Sequence, residues 1–235
     1  MYKIDVDWVS LCLRPPARER HAFPTGTVIY TGSQGSGKTY GMVSLAWRTH
    51  ERYPDCRVFS NVVIDAPWCE VYRNPAELQQ ILQRVRNGKE GVLILIDEAH
   101  LYWHRKDGIP LPLLAAISQQ RKQRLRIVMS TQVFEELDIS LRKQITDVVT
   151  CRRMGNLLLT KWTHGDTLYL DKSSYQWSGI PYRLHVEKIR RSIADRYDTL
   201  QEVATNSQYV DGSWCLPSGE SLLAAARPLS GGGAH

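Results

Sequence analysis

Two groups of residues in this chain have the types and spacing of phosphate chemistry. Gly32 to Thr39 reads Gly-Ser-Gln-Gly-Ser-Gly-Lys-Thr and fits G-x-x-x-x-G-K-[ST] at every fixed position. Such a loop curls successive backbone N–H groups around a polyphosphate, so glycine stands where a side chain would block approach. The Lys38 ammonium then reaches the β/γ oxygens, and the Thr39 hydroxyl is a ligand for Mg²⁺. The second group is Asp97-Glu98, directly after the apolar run Val92-Leu93-Ile94-Leu95-Ile96. One carboxylate there suits a magnesium ligand, usually through its water, and the next suits orienting or deprotonating an attacking water. Residues expected to hold the nucleotide are Gly32, Ser33, Gln34, Gly35, Ser36, Gly37, Lys38, Thr39 and Tyr40, with Thr39 and Asp97 at the metal and Glu98 as the base.

Elements that would position these groups are legible around them. Thr27-Val28-Ile29-Tyr30 reads as a strand and Tyr40 to His50 as a helix, whose N-terminal partial charge favours phosphate. Cys56 to Ile64 reads as the next strand, and residues 75–87, opening on Pro75, as a helix. The run ending at Ile96 has the composition of a parallel strand buried on both faces, and acids at its carboxyl end lie where open α/β sheets bind ligands. A chance glycine-rich turn, and two acids merely capping a helix, are the bland alternatives. Strand before and helix after weigh against the first, and pairing with the phosphate loop weighs against the second.

Further along, Leu113 to Gln123 reads as a helix, Ile127 to Gln132 as a strand and Asp147 to Arg153 as another. A short helix is expected near 139–145. Leu157–Trp162 and Thr167–Leu170 are expected to pair as a hairpin around His164-Gly165-Asp166, and Pro181 to Asp195 reads as a basic helix. The loop Leu101–Pro110 mixes Tyr102, Trp103, His104, Arg105 and Lys106: either it stacks on bases and contacts phosphates, or it is an exposed turn with one tryptophan packed beneath. On the first reading Trp103, Arg105, Lys106, Arg124 and Arg126 are candidate DNA contacts. The expected organisation is an arm at 1–25, with a proline-interrupted basic stretch Arg14–Arg20; a core at 26–172; a basic helical extension at 173–206; and a flexible tail at 207–235.

With 235 residues the chain can build one α/β domain with appendages. No apolar run is long enough to cross a bilayer, and the first residues lack the pattern of a secretory signal. The five cysteines are scattered and never spaced C-x-x-C, which argues against a disulfide framework or zinc site. A formal charge of +6 favours a polyanionic partner.

Taken together, Gly32–Thr39, the run Ile96-Asp97-Glu98-Ala99-His100 and the stretch Arg121 to Gln132 resemble the additional-strand P-loop ATPases of the FtsK/HerA group. That group includes viral genome-packaging ATPases and the zonula-occludens-toxin-like assembly proteins of filamentous phages. The resemblance covers residues 26–155. It implies a RecA-like P-loop NTPase of class α/β, with a mostly parallel central sheet flanked by helices and a β-hairpin added at the edge. It implies an ATPase using ATP and Mg²⁺, forming a homo-oligomeric ring (hexamer or pentamer) and moving DNA irrespective of sequence. Packaging a viral genome is the leading job, in the host cytoplasm or at a packaging vertex, with a capsid-vertex or membrane-associated viral protein as partner. Phage assembly or secretion beside a membrane partner, and a non-motor ATP switch, are the alternatives. By resemblance Arg121 acts in trans as an arginine finger and Gln132 senses the γ-phosphate. Many members have glycine where this chain has Arg124, which leaves Arg121 and Arg124 both open for the finger. Ser60-Asn61-Val62-Val63 and Tyr197-Asp198-Thr199 look more like the toxin-like branch, whose members usually carry a transmembrane helix after the ATPase domain. The string Asp97-Glu98-Ala99-His100 is not read as a DEAH-box helicase, because that machinery needs a second RecA-like domain.

Overall fold

The computed structural model describes residues 3–6, 22–106, 108–171, 176–197, 209–210 and 213–214. Its centre is a sheet built on alternation. In β2 (Gly26–Thr31) Ile29 faces one layer of core while Val28 and Tyr30 face the other, and all three are at most 2% exposed. β5 (Val92–Ile96) is buried at every position, so it must be apolar throughout, which is why it reads as an unbroken hydrophobic run.

With β1 (Lys3–Val6), β3 (Arg57–Ser60), β4 (Cys69–Val71), β6 (Leu125–Thr131), β7 (Ile145–Met154), β8 (Leu157–His164) and β11 (Pro181–Lys188), these strands form one nine-stranded sheet. Its order is β1-β11-β8-β7-β2-β6-β5-β3-β4. Strands from β4 to β7 are parallel; β8 is antiparallel to both β7 and β11; β1 lies parallel on β11. Helix α1 (Lys38–Arg52) packs on the face lined by Tyr30, Val128 and Val149. Helices α2 (Pro75–Arg84) and α3 (Leu111–Ser118) lie by the other, with Trp103 and Phe134 in the same core. Helix α2 starts cleanly because Asn74 Oδ1 accepts from Glu77 N–H and Glu77 reaches back to Arg73 N–H, a reciprocal cap.

Three expectations are corrected here. The hairpin turns at Gly155-Asn156, pairing Met154 with Leu157, and not at His164-Gly165-Asp166. Gly155 takes φ 57°, the conformation a two-residue hairpin turn demands. Residues 165–167 form a 3-10 turn, after which β9 (Tyr169–Asp171) pairs with β10 (Gln176–Ser178) in a separate ribbon. The short helix expected near 139–145 is α5 (Ile139–Arg142), whereas the expected basic helix at 181–195 is the strand β11 followed by the four-residue helix α6 (Arg191–Ala194). Tyr182, Leu184 and Val186 alternate with Arg183, His185 and Glu187, a period of two that charges spaced three or four apart had imitated. The core therefore runs past residue 172, since β11 belongs to the central sheet. Finally, the single helix expected to Gln123 breaks at Gln119 into α3 and α4 (Gln120–Gln123). The basic stretch Arg14–Arg20 and nearly all of the expected tail lie outside the described residues; of the tail, only the strands β12 (Tyr209–Val210) and β13 (Ser213–Trp214) are described.

Candidate phosphate site

The loop between β2 and α1 closes on itself, Ser36 N–H donating to Ser33 O at 3.2 Å. Gly32 (φ 146°) and Gly37 (φ 89°) sit where an L side chain is strained and where space is also lacking. A Cβ at Gly32 would lie 2.9 Å from Cys151 O, and one at Gly37 would lie 2.8 Å from Leu158 Cδ1. Leu158 belongs to the hairpin, so β7–β8 also forms the wall against which the phosphate loop is moulded. Ser33, Gln34 and Gly35 are exposed at the tip, while Lys38 is buried and donates from Nζ to Ser33 O at 3.1 Å.

The side chain of Tyr40 departs from expectation. It is buried in the α1 core, and its hydroxyl accepts from Arg190 N–H at 3.0 Å. It anchors the β11–α6 corner, so only its backbone remains beside the phosphate loop.

Thr39 Oγ1 donates to Asp97 Oδ2 at 3.0 Å, which joins the two motifs across the end of β5. The other carboxylate oxygen, Oδ1, accepts from the Ser130 hydroxyl at the end of β6, and Ser130 Oγ in turn accepts from Glu98 N–H at 3.1 Å. Asn61, just after β3, holds the Asp97 backbone at both polar groups: Oδ1 accepts from Asp97 N–H at 2.8 Å, and Nδ2 donates to Asp97 O at 3.0 Å. The same Nδ2 donates to the Tyr102 hydroxyl at 3.3 Å. Burial pushes the Asp97 carboxyl above the ordinary carboxylate range, and the neighbouring Glu98 charge adds to this. Hydrogen bonds from Ser130 and Thr39 and the charge of Lys38 act the other way. A buried carboxylate with a hydroxyl beside it is an all-oxygen donor pair, which fits a hard divalent cation such as Mg²⁺.

Glu98 adopts φ 51°, a left-handed conformation uncommon for a residue with a Cβ. Its carboxylate is held by one side-chain hydrogen bond and lies beside a second side chain. Gln132 Nε2 donates to Oε1 at 3.0 Å, and His100 Nδ1 lies 3.3 Å from Oε2. His100 Nδ1 also lies 3.3 Å from Thr131 Oγ1. Lys38, Thr39, Asp97, Glu98 and Gln132 thus converge from β2, β5 and β6. Asn61, Ser130 and His100 complete the constellation; sequence reasoning passed over the first two as functional residues because a strand-end Asn or Ser has no motif of its own.

Arg121 is exposed on α4, at the amino end of β6. The strand's seven residues put it about 20 Å from the Asp97 end, so within one chain it is not part of this site. Arg124 ends α4 at φ 51°, the backbone state that glycine adopts at no cost, so this chain keeps the turn in spite of its side chain. Two candidate nucleic-acid contacts are corrected. Trp103 is 1% exposed inside the core and has no free face on which a base could stack. Arg126 lines a cavity at the opposite end of the sheet, away from the exposed Arg105 and Lys106.

The profile of the zonular occludens toxin (Zot) family matches residues 26–164, more than half of the chain. Among solved structures, the N-terminal domain of zonular occludens toxin from Neisseria meningitidis aligns with a TM-score of 0.53 at 20% identity, covering 74% of this chain and 98% of that one. The genome packaging NTPase B204 from Sulfolobus turreted icosahedral virus 2, in complex with ATP-gammaS, aligns with a TM-score of 0.46 at 15% identity, covering 67% and 98%. No curated protein matches the chain. The fold is that of a RecA-like P-loop NTPase, a mostly parallel sheet flanked by helices with an antiparallel hairpin at the edge of the parallel part.

Proposed function

The chain belongs to the zonular occludens toxin (Zot) family, and from that premise we propose that it is an ATPase that couples ATP hydrolysis to the movement of phage DNA. The single observation that carries the catalytic half is the junction of the two motifs. Thr39 and Asp97 touch at 3.0 Å, and the next carboxylate, Glu98, is held by Gln132 beside His100. In this reading the loop amides and Lys38 bind the phosphates, and Thr39 and Asp97 hold Mg²⁺. When bound, that ion neutralises charge on the phosphate oxygens. Glu98 would orient the attacking water and accept its proton, and Gln132, which donates to the Glu98 carboxylate, would sense the γ-phosphate. Charge on the leaving group is stabilised by an arginine from a neighbouring copy, Arg121 being the exposed candidate and Arg124 the other.

On our reading phage assembly or extrusion comes ahead of genome packaging as the task, and the match to the Zot family supports that order. The protein would work as a homo-oligomeric ring, with Arg105 and Lys106 available to grip DNA phosphates without reading sequence. A membrane-associated phage protein is the proposed partner for assembly, and a capsid vertex the corresponding one for packaging. No helix among the described residues is long and apolar enough to cross a membrane.

The test is steady-state ATPase activity against protein concentration, with and without DNA. Glu98→Gln should retain ATP binding and lose about a hundredfold in rate, while Lys38→Ala should lose both. Stimulation by DNA that rises cooperatively with protein concentration supports the ring motor. Hydrolysis indifferent to both DNA and concentration refutes the motor and leaves a nucleotide switch. A Glu98→Gln protein of normal rate removes Glu98 from its role.

A further inference from the structure

At the end of the sheet away from the phosphate loop lies a cavity of about 420 Å³. It opens where β2, β6, β7 and β11 begin, and beside the last turn of α1. Arg48 and Arg52 reach it from that helix, Arg126 from β6 and Arg183 from β11. Lys38 and Arg52 stand at opposite ends of a fifteen-residue helix, so this cavity and the phosphate loop are about 20 Å apart. Parallel sheets bind ligands at their carboxyl ends, so nothing in the catalytic scheme accounts for four guanidiniums at the amino end.

The charges do not balance. Among the described residues Asp147 is the one carboxylate lining the cavity, and its Oδ1 already accepts from the Tyr182 hydroxyl at 2.9 Å and lies 3.2 Å from His164 Nδ1. Arg48 is committed to Glu187, 3.4 Å away behind the wall. The guanidinium of Arg52 lies over the ring of Tyr53, and that of Arg183 over Trp162. Arg126 is the telling residue: its Nε is buried and finds no acceptor among the described residues. Burial also holds its pKa below the usual arginine value. A guanidinium with a buried, unpaired N–H is stabilised by an oxyanion, for which its planar fork of donors is shaped. The carboxyl end of α1 is a poor place for an anion because of its partial negative charge, and Arg48 and Arg52 in the last two turns offset that field. Tyr53 and Tyr182 supply a partly exposed aromatic wall beside the basic floor.

We propose that this cavity is a second ligand site that takes a small organic phosphate, its phosphate at Arg126 and Arg52 and its organic part against Tyr53 and Tyr182. The volume is of the size that holds such molecules, roughly 300–1,000 Å³ for ordinary ligand pockets. The site would register a phosphorylated metabolite or nucleotide independently of the nucleotide being hydrolysed, through α1, which ends at one site and begins at the other.

The full chain carrying Lys38→Ala weakens the phosphate loop, and sensitivity of the remaining phosphate binding to Arg126 and Arg52 then assigns it to the second site. Adenosine 5′-monophosphate, ribose 5-phosphate, inorganic phosphate and adenosine would each be titrated calorimetrically into it. The expected result is one equivalent of adenosine monophosphate or ribose phosphate bound, no binding of adenosine, and inorganic phosphate at least tenfold weaker. Adding Arg126→Gln should weaken the organic phosphate more than tenfold. Arg52→Gln, an exposed change that leaves folding intact, should weaken it several-fold if Arg126→Gln proves unstable. Loss of all phosphate binding with Lys38→Ala overturns the proposal, as does binding untouched by both arginine changes. Inorganic phosphate binding as tightly as the organic phosphates overturns the assignment of ligand class.

Discussion

Asn61→Ala isolates what holds the catalytic carboxylates in place. Asn61 is 5% exposed and makes three hydrogen bonds, two to the Asp97 backbone at 2.8 and 3.0 Å and one to the Tyr102 hydroxyl at 3.3 Å. Truncation leaves a buried N–H, a buried carbonyl and a hydroxyl without that partner. An orphaned buried group costs about 1–3 kcal/mol. The two short backbone bonds dominate, so with water relieving part of the loss the variant should be destabilised by about 3 kcal/mol. For a protein of this length that is a fall in Tm of roughly 6–12 °C. The Asp97–Glu98 turn is also released from β3, so hydrolysis should fall at least about tenfold, the price of a carboxylate misplaced by a fraction of an ångström. Urea unfolding and steady-state rates on the same preparation check both numbers. Destabilisation below about 0.5 kcal/mol would show that the Asp97 backbone is held by the sheet alone and that Asn61 is incidental.

Asp97 has a raised folded-state pKa, so its protonation favours folding of the metal-free protein at low pH, and that contribution is lost as pH rises through the folded value. Asp97→Asn should therefore raise the urea midpoint at neutral pH without divalent ions and abolish hydrolysis, and a lower midpoint would contradict the buried-carboxylate account. Glu187 behaves oppositely. Burial pushes its pKa up, but the hydrogen bond from His185, the charge of Arg48 and the Ser44 hydroxyl outweigh that and hold it below the ordinary value. Its contribution is present above the unfolded pKa and is lost as pH falls through the folded one. With Arg48 35% exposed and screened, Glu187→Gln should cost about 2 kcal/mol at neutral pH and little in strong acid, as read by unfolding at the two pH values. Gly37→Ala combines a strained φ of 89° with a Cβ only 2.8 Å from Leu158 Cδ1. Nucleotide binding should be lost, and Leu158→Ala should restore part of it by making room, a non-additivity that equilibrium dialysis would detect.

Much of the phosphate site is legible along the chain because its chemistry is local. Gly32 to Thr39 and Asp97-Glu98 are contiguous, and each sits at a strand end that the apolar runs Val28–Tyr30 and Val92–Ile96 announce. The order of these elements, strand, loop, helix, then a fully buried strand with acids after it, suffices to place both motifs at one edge of a parallel sheet. Positions outside contiguous motifs are a different matter. Asn61 and Ser130 join the site only because β3, β5 and β6 lie side by side in register, pairing Ser60 with Leu95 and Ile96 with Met129. Trp103 has the composition of a base-stacking residue and is core, since the chain after Asp97 dives beneath the sheet. Residues 181–188 carry charges at a spacing that suits helix and strand alike, and the decision fell to pairing with Leu157–Thr163 across a hairpin whose own partner was misjudged. The four arginines of the second cavity come from residues 48, 52, 126 and 183, separated by up to 135 positions. Local order along the chain carries the phosphate-binding chemistry, because a loop and its helix need only neighbours. Which strands lie together, and so which distant charges share one buried space, is set by burial and strand pairing over the whole sheet, and only the tertiary structure decides it.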